Sequence, residues 1–202
     1  MINAVLDRVH GNYVFGRRVR VLSDKLARLM PQDAKVLDVG CGDGTVGLKL
    51  MESRPDCRLE GIDIYVRPKT AFPVTAFDGE KIPHPDKSFD AVMFVDVLHH
   101  TKDPLVLLGE AARVAKKAVV IKDHLREGPF AEETLRAMDW VGNARHGVVL
   151  PYNYLNRLQW DACFERAGLK LSSWETDLGL YPGPAGWLFD RELHFVARLE
   201  PR

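Results

Sequence analysis

Val36-Leu37-Asp38-Val39-Gly40-Cys41-Gly42-Asp43-Gly44 is the run that decides the fold of this chain. Val36, Leu37 and Val39 read as the end of a buried strand. Gly40, Gly42 and Gly44 then carry the backbone through a tight turn into a helix opening at Thr45. Glycine suits such a turn because it adopts positive φ freely and lets a ligand approach bare backbone. By itself a glycine-rich strand-to-helix turn says only that some nucleotide binds. The acids narrow the choice. A pyrophosphate wants N–H groups and no negative neighbours, yet this turn carries Asp38 and Asp43. Its third glycine also comes one residue early for the dinucleotide pattern G-x-G-x-x-G.

Carboxylates beside the turn suit a cationic nucleoside without phosphates, and S-adenosylmethionine carries a sulfonium, an ammonium and a nucleoside. The run from Asp38 to Gly44 resembles the first motif of the class I S-adenosylmethionine-dependent methyltransferases.

The rest of the chain supplies the expected scaffold. Strands are predicted at Lys35–Val39, Arg58–Ile62, Pro73–Phe77, Phe89–Val95, Lys117–Lys122, Leu169–Glu175 and Glu192–Leu199. Helical periodicity over residues 4–30 ends at Pro31. Thr45–Ser53 is a second helix, with Val46, Leu48 and Leu50 available for packing. Asp103-Pro104 opens a third, where Leu105, Leu108, Ala112 and Ala115 repeat on one side. Further helices follow at about Pro129–Asn143 and Tyr154–Ala167, whereas Tyr65–Phe72 is too short for a crossover helix. Alternating strands and helices imply an α/β, Rossmann-like, doubly wound, mostly parallel seven-stranded sheet. The last two strands have no helix between them and are expected to form an antiparallel C-terminal edge. One domain spans 1–202: an N-terminal helical segment (1–30), a donor-binding half (31–125) and an acceptor side (126–202).

In open α/β sheets, ligands sit beyond the carboxyl ends of the strands, and the polar candidates fall there. Asp63, in Gly61-Ile62-Asp63-Ile64, can accept from both ribose hydroxyls; otherwise it is a loop acid. Asp78-Gly79 follows the third strand, and alone is a common turn. The stretch Phe89-Asp90-Ala91-Val92 through Asp96-Val97-Leu98-His99-His100 and on to Asp103-Pro104 is similar to the family's fourth motif. These motifs cover residues 36–122 and resemble the ubiquinone-biosynthesis-like (type 11) small-molecule group. The resemblance implies an adenine-amino contact for Asp78, with Ile64 and Val97 as apolar neighbours. It implies a donor site of Asp38, Gly40, Cys41, Gly42, Asp63, Ile64, Asp78, Gly79, Asp96 and Val97, with S-adenosylhomocysteine as product.

His99, His100 and His124 are candidate proton acceptors, because imidazole titrates near neutrality. His99, His100, His124, Asp96 and Asp123 could also be read as metal ligands, but the resembling group does not generally need a metal and none is expected. Trp140, Tyr152, Tyr154, Tyr181 and Trp187 fall where such folds build acceptor pockets; Trp140, Tyr152, Tyr154 and Trp187 are the substrate candidates. Arg145-His146 could anchor an acidic group. Arg17-Arg18-Val19-Arg20 is the one dense basic cluster and reads as a solvated helix face.

The formal net charge is zero, so no global field draws in nucleic acid or anionic membrane. Three widely spaced cysteines argue against a disulfide framework and for a reducing compartment, with cytoplasm the expectation. No signal-like or membrane-length apolar run is read. The function implied is methyl transfer to a small-molecule acceptor. A donor-binding module or sensor without turnover is the alternative, and an NAD-dependent dehydrogenase the third choice. The acceptor and the oligomeric state are not legible.

Overall fold

Lys35–Val39 (β1) is the centre of a parallel array, pairing with Arg58–Asp63 (β2) on one side and Phe89–Val95 (β4) on the other. A computed structural model describes residues 2–143, 151–181, 183, 186 and 189–202. Val74–Ala76 (β3) lies outside β2, and Ala115–His124 (β5) outside β4. His194–Pro201 (β7) runs antiparallel to β5, and Leu169–Glu175 (β6) is antiparallel to β7 at the far edge. The seven-stranded order is β3-β2-β1-β4-β5-β7-β6, the expected doubly wound sheet with its antiparallel C-terminal edge.

Ile2–Leu29 (α1) and Thr45–Ser53 (α2) cover one face, where Leu22, Leu26 and Leu50 pack on Val36, Met93 and Val120. Pro104–Val114 (α3) and Arg157–Arg166 (α5) cover the other, where Leu108, Trp160 and Phe164 meet Leu37, Val92, Phe94 and Phe195. Alternate residues of each central strand therefore enter two different cores, which is why these strands read as continuous apolar runs. Ala131–Asn143 (α4) packs separately with Tyr154 and Leu193 through Ala131 and Leu135.

Local rules place most of the ends. Asp103 caps α3 by accepting the Leu105 amide at 2.9 Å, ahead of Pro104 at the first helical position. Asn156 and Gln159 form a capping box on α5. That box starts α5 at Arg157, three residues later than its apolar pattern suggested. The α3 stripe also differs from expectation: Pro104, Leu107, Leu108, Ala111 and Val114 are buried, and Ala115 already belongs to β5. On α2, Gly47 and Leu50 face the core while Leu48 is exposed.

One correction matters for the site. β5 was expected to stop at Lys122, leaving Asp123 and His124 on a loop. It continues through both, because β7 extends the ladder to Asp123↔Phe195 and His124↔His194. Both side chains are consequently buried and held in register by the sheet.

Candidate functional site

The neighbour order reverses between β1 and β4, and the loops leaving these two strands face each other across that switch point. Gly40 donates its amide to Ile62 O at 2.7 Å, docking the glycine turn on β2. Gly40, Gly42 and Gly44 have φ of 72°, 59° and 80°, the left-handed region that favours glycine. Their surroundings differ. A Cβ on Gly40 would lie 2.6 Å from Val97 Cγ2, so close packing of the two loops requires glycine there. A Cβ on Gly42 would meet nothing within 4 Å. Gly42 therefore presents bare backbone to a cleft of about 570 Å³ lined by Gly40 to Asp43 and by Arg67 to Lys69.

Asp63 ends β2 beside this turn. One of its carboxylate oxygens accepts the Gly42 amide and the other the Tyr65 amide, both at 2.8 Å. Asp38 is buried beneath the turn; burial, then the negative charge of Asp63, pushes its carboxyl up to about 7. Burial, reinforced by Asp38 and Asp63, also pushes the Cys41 thiol up, which keeps it neutral. Asp78 is exposed and accepts the amides of Glu80 and Lys81 at 2.8 Å each; those bonds hold its carboxyl below the usual range. Ile64 is exposed, and a Cβ on Gly79 would come within 3.1 Å of its Cγ2, so the turns after β2 and β3 lie together. The cradle fits an adenosyl group: open space over Gly42, the Asp63 carboxylate bonded to the Gly42 amide, and the exposed Ile64 directly after Asp63.

Asp96, one of the donor-site candidates, directly follows β4. It has φ 57°, and its carboxylate is gripped by Lys122 and by Arg18, the latter at 2.5 Å. These two cations overcome the effect of burial and hold the Asp96 carboxyl well below the ordinary range. Arg18 lies on α1 in the basic cluster read from sequence as a solvated face. Instead it is half-buried and helps line a second cavity. The missed signal was the lone acid after β4, which needs a cation opposite once buried.

That second cavity, of about 480 Å³, has a polar side of Arg18, Asp96, His99, His100, His124 and Asp139. Its apolar side is Ala137, Met138, Tyr181 and Phe189. All three histidine candidates are thus brought together. His99 and His100 stand on a 3-10 turn, Leu98–His100, and His124 at the end of β5. His99 Nδ1 lies 2.6 Å from Asp123 Oδ1 and 3.2 Å from His124 Nδ1. Although burial opposes it, Asp123 raises the His99 imidazole above its ordinary range. Burial, then the proximity of His99, lowers His100 to about 4 and His124 well below the ordinary range.

Sequence reasoning missed Asp139 and Phe189. Asp139 lies on α4, with His99 Nε2 3.5 Å and His124 Nε2 3.9 Å from its carboxylate, and Tyr154 Oη donating to it at 2.5 Å. Ligand atoms of His99, His124 and Asp139 lie within 4.8 Å of one another. Asp123 on His99 and Tyr154 on Asp139 already partner two of these groups. Of the substrate candidates, Tyr154 is buried with its hydroxyl on Asp139, Tyr152 is half-buried two residues before it, and Trp140 is 63% exposed; none of these three is among the residues lining the cavity. Trp187, Arg145 and His146 lie outside the described residues.

A family model for a methyltransferase domain matches residues 14–173, and the chain belongs to that family: it is a class I S-adenosylmethionine-dependent methyltransferase. Its methyl donor is S-adenosylmethionine. A 110-residue stretch is 31% identical to the 27-O-demethylrifamycin SV methyltransferase of Amycolatopsis mediterranei, over 47% of this chain and 40% of that protein. The chain therefore matches less than half the length of that relative. Among solved structures, the methyltransferase bound to the Trm112 activator of Haloferax volcanii has 18% identity and a TM-score of 0.67, over 96% of this chain and 94% of that one. An S-adenosylmethionine-dependent methyltransferase from Aquifex aeolicus has 20% identity and a TM-score of 0.60, over 89% of each chain. These two likenesses are of fold.

Proposed function

We propose that this methyltransferase acts on a small-molecule acceptor held in the cavity of Arg18, His99, His124 and Phe189. The observation that carries the reading is the position of that cavity. It opens off the β4 and β5 ends of the same sheet rim whose β1 and β2 ends form the glycine cleft. Its size suits a drug-sized molecule rather than a polymer, and its walls join an apolar side to convergent polar groups.

In the donor cleft we assign Asp38, Gly40, Cys41, Gly42, Asp63, Ile64, Asp78, Gly79 and Val97 to S-adenosylmethionine, with Asp63 on the ribose. Bound there, the donor supplies an already activated methyl group. The chain's own work is alignment, exclusion of water and, where needed, removal of a proton. Asp96, tied to Lys122 and Arg18, moves in this reading from the donor set to the lining of the second cavity. His99, His100 and His124 are the groups available to an acceptor proton, with Tyr154 supporting Asp139 behind them.

Zero net charge and the absence, among the described residues, of a helix long and apolar enough to cross a membrane support action on a diffusible acceptor. The three free cysteines support a reducing, cytoplasmic setting. The test is a screen of small hydroxyl, amine and thiol compounds with methyl-labelled donor. Label in one class of small product is expected. Transfer only to protein or nucleic acid would sink the reading.

A further inference from the structure

Asp123 ties together the two segments that bring His99 and His124 to the second cavity. It is fully buried, and its carboxylate accepts the amide of Leu98, one residue before His99, at 2.9 Å and that of His124 at 2.7 Å. Both imidazoles stand between two carboxylates. Each turns Nδ1 toward Asp123, 2.6 Å away for His99 and 3.8 Å for His124. Each turns Nε2 toward Asp139 on α4, 3.5 Å away for His99 and 3.9 Å for His124. A carboxylate only accepts, so the short contact with Asp123 puts the His99 proton on Nδ1 and leaves a lone pair on Nε2.

The spacing around Asp139 is too wide for hydrogen bonds, and the buried His99 Nε2 makes none. It is close to the spacing of ligands. Two ligand atoms of one tetrahedral ion, with bonds of about 2.0–2.2 Å, stand about 3.3–3.5 Å apart. Ligand atoms of His99, His124 and Asp139 all lie within 4.8 Å of one another before any ion draws them in. The support that such centres use is also in place. A ligating imidazole ordinarily gives its far nitrogen to a carboxylate, and a ligating carboxylate is itself hydrogen-bonded. Asp123 does the first for His99, and Tyr154 Oη does the second for Asp139.

We propose that His99 Nε2, His124 Nε2 and a carboxylate oxygen of Asp139 bind one divalent transition-metal ion. Two imidazole nitrogens with one carboxylate suit zinc and its first-row neighbours, whereas magnesium and calcium take oxygen ligands. Asp123 and Asp139 bring two negative charges to the ion, and Asp96 brings none because Lys122 and Arg18 hold it. The set differs from the one legible in sequence: Asp139 takes the place of Asp96, Asp123 stands behind a ligand, and His100 lies outside. All three ligands line the cavity, so the position that three protein ligands leave free on a tetrahedral ion belongs to that cavity. Water or an oxygen of an entering molecule fills it. With the ion bound, His99 and His124 no longer take protons, and of the three histidines only His100 stays available to an acceptor proton.

Calorimetric titration of zinc chloride into the untagged protein, first stripped with chelator, is the direct test. One zinc per chain is expected. Cobalt should replace it and give the visible absorption of nitrogen and oxygen ligation, with no thiolate charge-transfer band. Asp123→Asn should weaken zinc binding by about 10–100-fold, the usual effect of losing a group behind a ligand. Asp139→Asn and His124→Gln should weaken it further, and His84→Gln, outside the cavity lining, should leave it unchanged. Failure of the unaltered protein to take up zinc or cobalt would overturn the site without any variant having to fold. A thiolate band, a preference for magnesium, or equal zinc affinity in wild type and Asp139→Asn would overturn it too. The titration needs no acceptor, so an acceptor screen that yields nothing leaves the site standing, and a failed titration leaves methyl transfer to a small molecule standing.

Discussion

Asp63 accepts the Gly42 amide at 2.8 Å, so the acid assigned to the ribose also braces the turn that the donor lies on. Its second oxygen accepts the Tyr65 amide at the same distance. Each carboxylate oxygen has two lone-pair directions, so these bonds orient the group without using it up. Asp63→Ala should weaken S-adenosylmethionine binding by roughly 1–3 kcal/mol, from loss of charged acceptors for the ribose and from a looser Gly42. Titration calorimetry on the folded variant reads this directly. Unchanged affinity would remove Asp63 from the ribose site.

The first two glycines of the turn should separate on mutation. Gly40→Ala places its Cβ 2.6 Å from Val97 Cγ2 in addition to the positive-φ strain, and should lower thermal stability. Gly42→Val carries the same kind of backbone strain, of about 1–2 kcal/mol, but its side chain enters open cleft rather than protein. It should retain more of the fold and lose donor binding more completely. Melting curves and calorimetry on the two variants check the contrast. A Gly42→Val protein that binds normally would show that the donor does not lie over that turn.

How far the sequence carried the reading depended on whether a feature was local. The glycine turn, the Asp103-Pro104 cap and the two-sided strands are written in adjacent residues, and they stand where expected. The acceptor side is assembled from long-range partners. Arg18 meets Asp96 from the N-terminal helix, and Asp139 approaches His99 from α4. Asp123 and His124 became strand residues only because β7, some seventy positions later, extends the ladder past Lys122. No spacing rule within β5 contains that information. A basic helical run is ordinarily a solvated face, and only the acid buried opposite it makes Arg18 an exception.

Nucleotide selectivity follows from the charges around the turn. S-adenosylmethionine and S-adenosylhomocysteine should bind in the range of about 1–100 μM while NAD does not, because Asp38 and Asp63 oppose a pyrophosphate at this place. Competition calorimetry is the check. Tight NAD binding with no adenosylmethionine signal would contradict the assignment of the cleft.

The buried Asp38 makes donor binding depend on pH. Burial, then the charge of Asp63, raises its carboxyl from 3.8 to about 7, so without ligand it is largely protonated in mildly acidic solution. A cationic ligand favours the ionised form, so binding should expel a proton there. Affinity should rise with pH by up to about tenfold per unit as pH approaches 7, below the range where an α-amino group loses its own proton. Folding stability runs the opposite way. A carboxyl raised in the folded state contributes stability below its unfolded value of 3.8, and that contribution is lost as pH rises to about 7. Asp38→Asn should flatten both trends: relative to wild type it should be more stable near neutrality and bind the donor less tightly, with no proton released. Calorimetry in buffers of different ionisation enthalpy measures that proton. Equal proton release by wild type and Asp38→Asn would place the titrating group elsewhere.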